Sequence, residues 1–192
     1  MNVQRNSSPQ LILVNERDEI VGYCPKLEAH QNGGVLHRAF SVFVFNARGE
    51  MLLQQRAASK YHFACLWSNA CCSHPLRGEE TPDAAHERLQ HELGFQTPLE
   101  AVCQFVYRAE DSASGLTEHE FDHVFRGHYD GEVRPNPEEI AAWKWMSVPD
   151  LRADLRLRPQ LYTPWFQIVL EQVLRFDAPR AESAQPDWPC FR

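Results

Sequence analysis

The chain is organised around residues 67–75, which read Trp-Ser-Asn-Ala-Cys-Cys-Ser-His-Pro. If Cys72 and His74 lie in extended backbone, their side chains point to the same side, because strand residues two apart share a face. That arrangement places a soft nucleophile or acid/base beside a metal-type ligand. The alternative interpretation is a buried pair, Cys71 and Cys72, that packs as small hydrophobic side chains.

A helix is predicted over residues 82–93, directly downstream of that stretch. Thr81 is expected to cap its N-terminus ahead of a proline at the first helical position, and Gly94 stands where a C-terminal glycine belongs. Ala85, Leu89 and Leu93 recur every four residues, so the helix has one apolar face for the core.

A different face of this helix carries Arg88 and Glu92, again four residues apart. Side chains at this spacing are neighbours on a helix surface, so the two are close enough to act on one ligand. An ordinary surface ion pair is the alternative interpretation of the same spacing.

The composition is that of an ordinary globular protein, with 192 residues of which 43% are hydrophobic and 23% charged. A formal net charge of -7 argues against a nucleic-acid or anionic-membrane partner, whose binding surfaces are usually basic. A local cluster of Lys and Arg is still enough for a phosphate-bearing small molecule. No apolar run approaches the roughly 18 residues of a membrane span, and no signal-peptide pattern opens the chain, so a cytoplasmic location is expected.

The cysteines show neither disulfide-framework nor zinc-finger spacing, and a domain of this size needs no covalent staples. We therefore expect them to be reduced. The six are Cys24, Cys65, Cys71, Cys72, Cys103 and Cys190.

Strand-like stretches separated by turn residues, with a few helices between them, indicate one α+β domain in which mixed β-sheets are flanked by helices. Residues 1–9 are expected to form a flexible N-terminus and residues 177–192 a C-terminal tail, in which Trp188 and Cys190 match no motif. The domain is expected to span residues 10–176. Strands are predicted at residues 11–14, 40–45, 51–56, 102–108, 117–129 and 143–146.

Two further helices are predicted late in the domain. A short one begins at Ser147, and a longer one is capped by Thr163 ahead of a proline. Ile168, Val169 and Val173 are expected to form the inner stripe of the longer helix.

The long strand at residues 117–129 has two unlike faces. Glu118, Glu120 and Asp122 alternate along one face, and Phe121 and Phe125 lie on the other. A face that carries consecutive carboxylates is not buried in an apolar core.

The central motif resembles that of type I isopentenyl diphosphate isomerase, a family with a Nudix-like fold: residues 69–76 read Asn-Ala-Cys-Cys-Ser-His-Pro-Leu, and residues 87–94 read Glu-Arg-Leu-Gln-His-Glu-Leu-Gly. The second segment resembles a degraded Nudix box. Of the three glutamates that Nudix hydrolases carry there only Glu92 is present, and Ser73 stands where the box would open with glycine. The resemblance therefore favours isomerisation over diphosphate hydrolysis.

The resemblance implies one divalent metal held by five residues. Imidazole and carboxylate ligands together suit Zn, Mn, Fe or Mg, of which Mn²⁺, Zn²⁺ or Mg²⁺ is expected here. Each histidine taken singly is more often an ordinary core or surface residue. The five positions are His30, His37, His74, Glu118 and Glu120.

The resemblance also implies a diphosphate site. Glu92, together with a group near Cys72, would hold a Mg²⁺ ion that enters the site bound to the substrate's diphosphate. Trp67 is an aromatic candidate for the wall of the pocket. Arginine forks and lysine point charges suit phosphate oxygens, although solvated surface charges are the alternative. The basic positions that match the family are Lys26, Arg56, Lys60 and Arg88.

The implied reaction is a 1,3-allylic proton shift that converts isopentenyl diphosphate into dimethylallyl diphosphate through a tertiary carbocation. By resemblance, Glu120 and Cys72 work on opposite faces of the carbon skeleton, one as proton donor and the other as acceptor. Tyr107 matches a tyrosine that hydrogen-bonds the glutamate. Trp165 matches a tryptophan whose ring stabilises the cation, and a core aromatic is its alternative interpretation.

Two other function classes remain open from the sequence. A Nudix-type hydrolase of nucleoside or isoprenoid diphosphates predicts phosphate release and indifference to loss of Cys72. A non-catalytic diphosphate-binding module predicts ligand binding without turnover. The expected partner in each case is a small-molecule diphosphate, with neither nucleic acid nor membrane, and the chain is expected to be a monomer or a weak homodimer.

Overall fold

The computed structural model describes residues 9–176 of the chain. Within this range the chain forms nine strands and four α-helices. The predictions for the N-terminus up to residue 8 and for the tail at residues 177–192, including Trp188 and Cys190, lie outside the described residues.

The strands, in chain order, are β1 (Gln10–Val14), β2 (Ile20–Pro25), β3 (His37–Phe45), β4 (Met51–Arg56), β5 (Trp67–Ser68), β6 (Cys71–Ser73), β7 (Leu99–Asp111), β8 (Leu116–His128) and β9 (Ile140–Met146). The helices are α1 (Lys26–His30), α2 (Thr81–Leu93), α3 (Val148–Leu157) and α4 (Pro164–Arg175). None of these four helices is long and apolar enough to cross a membrane.

Strand β3 is the centre of one mixed sheet. It pairs in parallel with β8 along its whole length, with His37 opposite Glu120. It also pairs antiparallel with β6, where Ser41 lies opposite Cys72. On the far side of β8, β7 places Tyr107 opposite Glu120. Side chains far apart in sequence therefore become neighbours on one face of the sheet.

Alternation along β3 divides the interior into two apolar cores. Phe40, Val42 and Val44 face α2, where they pack with Leu89 and Leu93 in the first core. Both leucines are fully buried, which confirms the predicted apolar face of this helix.

The second core lies on the other face of β3. Phe43 and Phe45 point to this side and pack with Phe166, Val169 and Val173 of α4. The mixed sheet is thus covered by helices on both faces, as the α+β prediction requires. The prediction was of more than one sheet, whereas the nine strands of the described residues form a single sheet.

One correction concerns the start of α2. The helix begins at Thr81 itself and Glu80 is its N-cap residue, with no side-chain hydrogen bond at the cap. Thr81 is buried in the first turn and does not cap the helix. The helix therefore starts one residue earlier than predicted, and Pro82 stands at its second position, where a proline is still tolerated.

A second correction concerns the inner stripe of α4. Ile168, predicted to face the core, is 50% exposed, whereas Trp165 and Phe166 are buried. At 3.6 residues per turn, a stripe through Phe166, Val169 and Leu170 points away from position 168. The predicted stripe did not include the first turn of α4, and the buried residues of that turn set the orientation of the helix.

Strand β2 was not predicted. It forms the edge of the sheet beside β1, and its Ile20 and Val21 are exposed. Gly22 and Pro25 interrupt the apolar pattern of this segment, so the sequence resembles a turn region.

Candidate active site

Three histidines and two glutamates meet at one end of β3. His37 is the first residue of β3, His74 follows β6, and His30 ends α1. Glu118 and Glu120 share a face of β8 because they are two residues apart. One ligand atom from each of the five lies within 4.8 Å of all the others, and all five residues are buried. The five predicted metal ligands therefore form one cluster, called the His/Glu cluster below.

Backbone carbonyls determine which ring nitrogen faces the cluster in two of the histidines. His30 Nδ1 lies 2.6 Å from the carbonyl oxygen of Lys26, and His37 Nδ1 lies 2.7 Å from that of Val35. A carbonyl oxygen only accepts hydrogen bonds, so in the neutral ring Nδ1 carries the proton and Nε2 presents a lone pair. Both Nε2 atoms are buried and have no hydrogen-bond partner among residues 9–176.

This geometry fits a divalent cation. His30 Nε2 lies 2.9 Å from Glu118 Oε2, and His37 Nε2 lies 3.7 Å from Glu120 Oε1. With the histidine protons on Nδ1, lone pairs face carboxylate oxygens in a buried site, an arrangement that a bound cation relieves. Imidazole and carboxylate donors together are a usual ligand set for divalent metals.

The two glutamates of the cluster have pKa values shifted in opposite directions. Burial alone raises the pKa of Glu118, but hydrogen bonds and positive charge from His30 and His62, when these imidazoles are protonated, hold it well below its ordinary value. Burial and the neighbouring charge of Glu118 raise the pKa of Glu120. Of the two, Glu120 is therefore the carboxyl that binds a proton more readily.

Glu120 is bonded through both carboxylate oxygens. Tyr107 Oη donates to its Oε2 across 2.5 Å, and His74 Nε2 lies 2.7 Å from its Oε1. Burial raises the pKa of Tyr107 well above its ordinary value, so the phenol keeps its proton and acts as a donor. Tyr107 thereby fixes the orientation of the Glu120 carboxyl.

The thiol of Cys72 is held by three polar neighbours. Trp165 Nε1 donates to Sγ across 3.2 Å, and Sγ donates to Asn69 Oδ1 across 3.2 Å. Ser68 Oγ lies 3.5 Å from the sulfur. Burial raises the pKa of the Cys72 thiol to about 12, so the sulfur is protonated near neutral pH.

One cavity connects these groups. It has a volume of about 300 Å³, and Cys72, Tyr107, Glu120 and Trp165 all line it. The thiol and the carboxyl can therefore reach the same small molecule, with the indole as part of the wall.

Four cationic side chains line the same cavity: Lys26, Arg56, Lys60 and Arg88. Burial lowers the pKa of Lys26. Arg56 is buried at the end of β4, where its Nε and Nη2 donate to the carbonyls of Phe63 and His62 across 3.0 and 3.1 Å. Its guanidinium also lies 5.5 Å from the ring centre of Trp165. Arg56 thus holds the loop at residues 57–66 in addition to facing the cavity.

Glu139 neutralises two of these cations. Its Oε2 contacts Lys60 Nζ, and its Oε1 lies 2.9 Å from Arg88 Nη2. Burial raises the pKa of Glu139, but the hydrogen bonds from Lys60 and Arg88 lower it to about 2. The carboxylate therefore occupies donors that an anionic ligand would use.

Glu92 and Trp67 lie outside the cavity wall. Glu92 is buried, accepts from Arg88 Nη2 across 2.7 Å and lies 3.5 Å from Gln54 Nε2. Trp67 packs against Lys144, whose Nζ lies 4.2 Å from its ring centre. The expectation that Trp67 forms a wall of the pocket is not met, because β5 turns its ring toward β9.

Residues 35–166 match the family model of the NUDIX domain. The chain is 49% identical to isopentenyl-diphosphate Delta-isomerase 2 of Aromatoleum aromaticum, over 86% of each chain. It is 48% identical to isopentenyl-diphosphate Delta-isomerase of Nocardia farcinica, over 90% of this chain and 97% of the relative. The chain belongs to the isopentenyl-diphosphate Delta-isomerase family. The resemblance inferred from the sequence motifs is confirmed.

Solved structures show how this isomerase-family chain shares its fold with other Nudix proteins. The DR0079 protein of Deinococcus radiodurans matches with a TM-score of 0.67 and 21% identity, over 84% of this chain and 98% of that protein. The MutT protein of Methanosarcina mazei matches with a TM-score of 0.58 and 17% identity, over 74% of this chain and 93% of that protein. Identities this low support the Nudix fold alone.

Four site residues of this isomerase-family chain were absent from the predictions. Ser68 and Asn69, which hold the Cys72 thiol, stand within the motif that opened the sequence analysis. His62 lies two residues after Lys60, and proximity to a predicted cation was its only sequence signal. Glu139 lies in a polar turn far from every motif, and only the pairing of β4 with β9 brings it to the cavity.

Proposed function

We propose that the chain interconverts isopentenyl diphosphate and dimethylallyl diphosphate. The single observation that carries this proposal is that Cys72 and Glu120 line one cavity in a chain of the isomerase family. The reaction adds one proton at the terminal carbon of the double bond and removes another from the carbon two positions away. The bond moves, no electrons are gained or lost, and the diphosphate stays attached.

Cys72 and Glu120 are the proposed proton carriers. An unactivated alkene is a poor base, so the site needs a strong, fixed donor and must exclude water. Tyr107 orients the Glu120 carboxyl, and Trp165 and Asn69 orient the thiol. One group donates a proton to one face of the carbon skeleton while the other accepts a proton from the opposite face.

Trp165 is proposed to stabilise the positive charge that develops between the two proton transfers. Its ring lines the cavity and its Nε1 is already bonded to Cys72 Sγ. An aromatic face attracts a cation without offering an oxygen or nitrogen that could trap it. A hydrogen-bond acceptor at this position would compete for the carbocation.

The His/Glu cluster is the proposed site of one divalent metal, Mn²⁺, Zn²⁺ or Mg²⁺. Such a cation, when bound, favours the carboxylate form of Glu120 and so makes its proton easier to release. Glu92, which accepts from the cavity-lining Arg88, is the proposed protein ligand of a Mg²⁺ ion that the diphosphate brings with it. Lys26, Arg56, Lys60 and Arg88 are the proposed diphosphate donors.

The proposed partner is thus a small-molecule diphosphate. We further propose a monomer or weak homodimer in the cytoplasm, without nucleic acid or membrane. The formal net charge of -7 supports the absence of nucleic-acid and membrane partners, because anionic polymers and anionic lipid surfaces repel an acidic chain.

The proposal is tested by NMR of the purified chain with isopentenyl diphosphate, Mg²⁺ and Mn²⁺ in deuterated water, observing carbon-bound protons and phosphorus together. Dimethylallyl diphosphate that carries deuterium, with the diphosphate intact, is expected. Release of phosphate would indicate a hydrolase, and an unchanged substrate a binding module. Either result would overturn the proposal.

A further inference from the structure

His62 is a buried residue of the cavity that lies beside the His/Glu cluster without belonging to it. Its Nε2 contacts Glu118 Oε1. The other carboxylate oxygen, Oε2, lies 2.9 Å from His30 Nε2. Glu118 is therefore placed between two imidazoles, one on each oxygen.

The two imidazoles use opposite nitrogens. His30 donates Nδ1–H to a backbone carbonyl and directs the Nε2 lone pair at the cluster. His62 faces an ionised carboxylate, which only accepts, so its Nε2 carries the proton and donates. His62 Nδ1 is buried and has no hydrogen-bond partner among residues 9–176. In the neutral rings, the nitrogen that faces the cluster is therefore a donor in His62 and a lone pair in His30.

His62 is held in place from outside the cluster. Arg56 donates to its carbonyl oxygen and to that of Phe63. Phe63 N donates to Asp111 Oδ2 across 3.0 Å, which ties the same loop to the end of β7. The ring of Tyr61 lies 4.5 Å from that of His62. The imidazole is thus supported by the backbone that Arg56 organises.

We propose that His62 is a positioning residue of the metal centre, which donates its Nε2–H to Glu118 Oε1 and leaves Oε2 to bind the cation. A carboxylate ligand without such a partner can rotate or bind through both oxygens. Partners of this kind contribute about 10- to 100-fold to metal affinity. The inference rests on the proposed metal-binding role of the cluster and not on the isomerisation itself.

The test uses the full chain stripped of metal and titrated with Mn²⁺, with free Mn²⁺ measured by electron paramagnetic resonance. His62→Leu and His62→Met both remove the donor. Circular dichroism shows which variant folds, and the Mn²⁺ affinity of that variant is compared with the affinity of the wild-type chain. Binding is expected to weaken by about 10- to 100-fold. His62→Gln, whose amide also donates, is expected to retain an affinity close to that of the wild-type chain.

A Co²⁺ absorption spectrum separates positioning from direct ligation. His62→Gln is expected to keep the wild-type spectrum, because the ligand atoms are unchanged. A changed spectrum together with lost affinity in this variant would make His62 a ligand and overturn the proposal. Unchanged Mn²⁺ affinity in the donor-less variants would overturn it as well.

His123→Leu is the matched control. His123 Nε2 lies 2.9 Å from the Asp18 carboxylate, a comparable His–carboxylate pair outside the cluster, so Mn²⁺ affinity is expected to be unaffected. Failure of the wild-type chain to isomerise its substrate while binding Mn²⁺ would contradict the proposed function alone. The role of His62 is therefore tested separately.

Discussion

Trp165 Nε1 donates to Cys72 Sγ across 3.2 Å and lies 3.1 Å from Ser68 Oγ. Trp165 stands in the first turn of α4, so the core that anchors this helix also anchors the thiol. Asn69 Oδ1 accepts a hydrogen bond from the thiol. The Cys72 sulfur is therefore fixed by a helix residue that lies 93 positions later in the chain.

Cys72→Ala is expected to lower kcat at least about 10²-fold, because general acid–base groups contribute that much or more. Steady-state isomerisation kinetics measure this loss. Calorimetry with inorganic diphosphate and Mg²⁺ is expected to show unchanged binding.

Cys71→Ala is the control for that variant. Cys71 is buried in the other core, beneath α2, and is expected to be dispensable for turnover. Substantial residual isomerisation by Cys72→Ala would remove the thiol from the mechanism.

Glu120→Gln is expected to lose both turnover and metal, because this residue is proposed to serve both as a metal ligand and as a proton carrier. Metal content after dialysis against Mn²⁺ measures the first role and kinetics the second. Asp122→Asn is the control, since Asp122 lies on the same face of β8 but accepts from Ser41 Oγ across 2.8 Å. A fully metallated Glu120→Gln chain would show that Glu120 is not a ligand.

Glu139→Gln is expected to destabilise the chain near neutral pH but not in strong acid. The lowered pKa of Glu139, about 2 against an ordinary 4.5, means that its ion pairs stabilise the fold above about pH 4.5. That stabilisation is lost as the pH falls from about 4.5 to about 2. The urea midpoints of the wild-type chain and of Glu139→Gln, measured between pH 6 and pH 2, should converge at the acid end.

Glu138→Gln provides the comparison for this experiment. Glu138 is the exposed neighbour of Glu139, and its substitution is expected to leave the urea midpoint unchanged across the same range. A destabilisation by Glu139→Gln that persisted undiminished at pH 2 would assign the effect to packing and not to charge.

Leu89→Ala is expected to lower the free energy of unfolding by about 2–5 kcal/mol, because it opens a cavity in a fully buried part of the core. Ile168→Ala is expected to change it by no more than about 0.5 kcal/mol, since this side chain faces solvent. Denaturant unfolding of the wild-type chain and of the two variants measures both differences. An equal loss of unfolding free energy in the Leu89→Ala and Ile168→Ala variants would mean that α4 packs through a different face.

Local patterns predicted most of the elements, because alternation and four-residue spacing are written in neighbouring residues. Leu89 lies on the apolar face that the four-residue spacing predicts, and Phe43 lies in the strand predicted at residues 40–45. Ile168 was assigned wrongly because an apolar residue satisfies a helical pattern whether or not a partner covers it. Only packing at the first turn of α4 decides between the two faces.

The candidate site was predicted unevenly. The five residues of the His/Glu cluster were found through the family motif, although no local pattern states that His37 lies opposite Glu120. His62 and Glu139 were missed because they act through neighbours distant in sequence, Glu118 and Arg88. A single histidine or glutamate in a polar loop carries no signal of such a contact.

The parallel pairing of β3 with β8 also has a consequence for how the protein is made. His37 emerges from the ribosome early, but its partner Glu120 follows only after the whole segment between Phe45 and Leu116. Parallel pairing over such a separation forms slowly, because the loop must close before contacts compensate for its entropy. Metal capture is therefore a late event in the synthesis of each molecule, and a ribosome-bound chain arrested before β8 should bind none at this site.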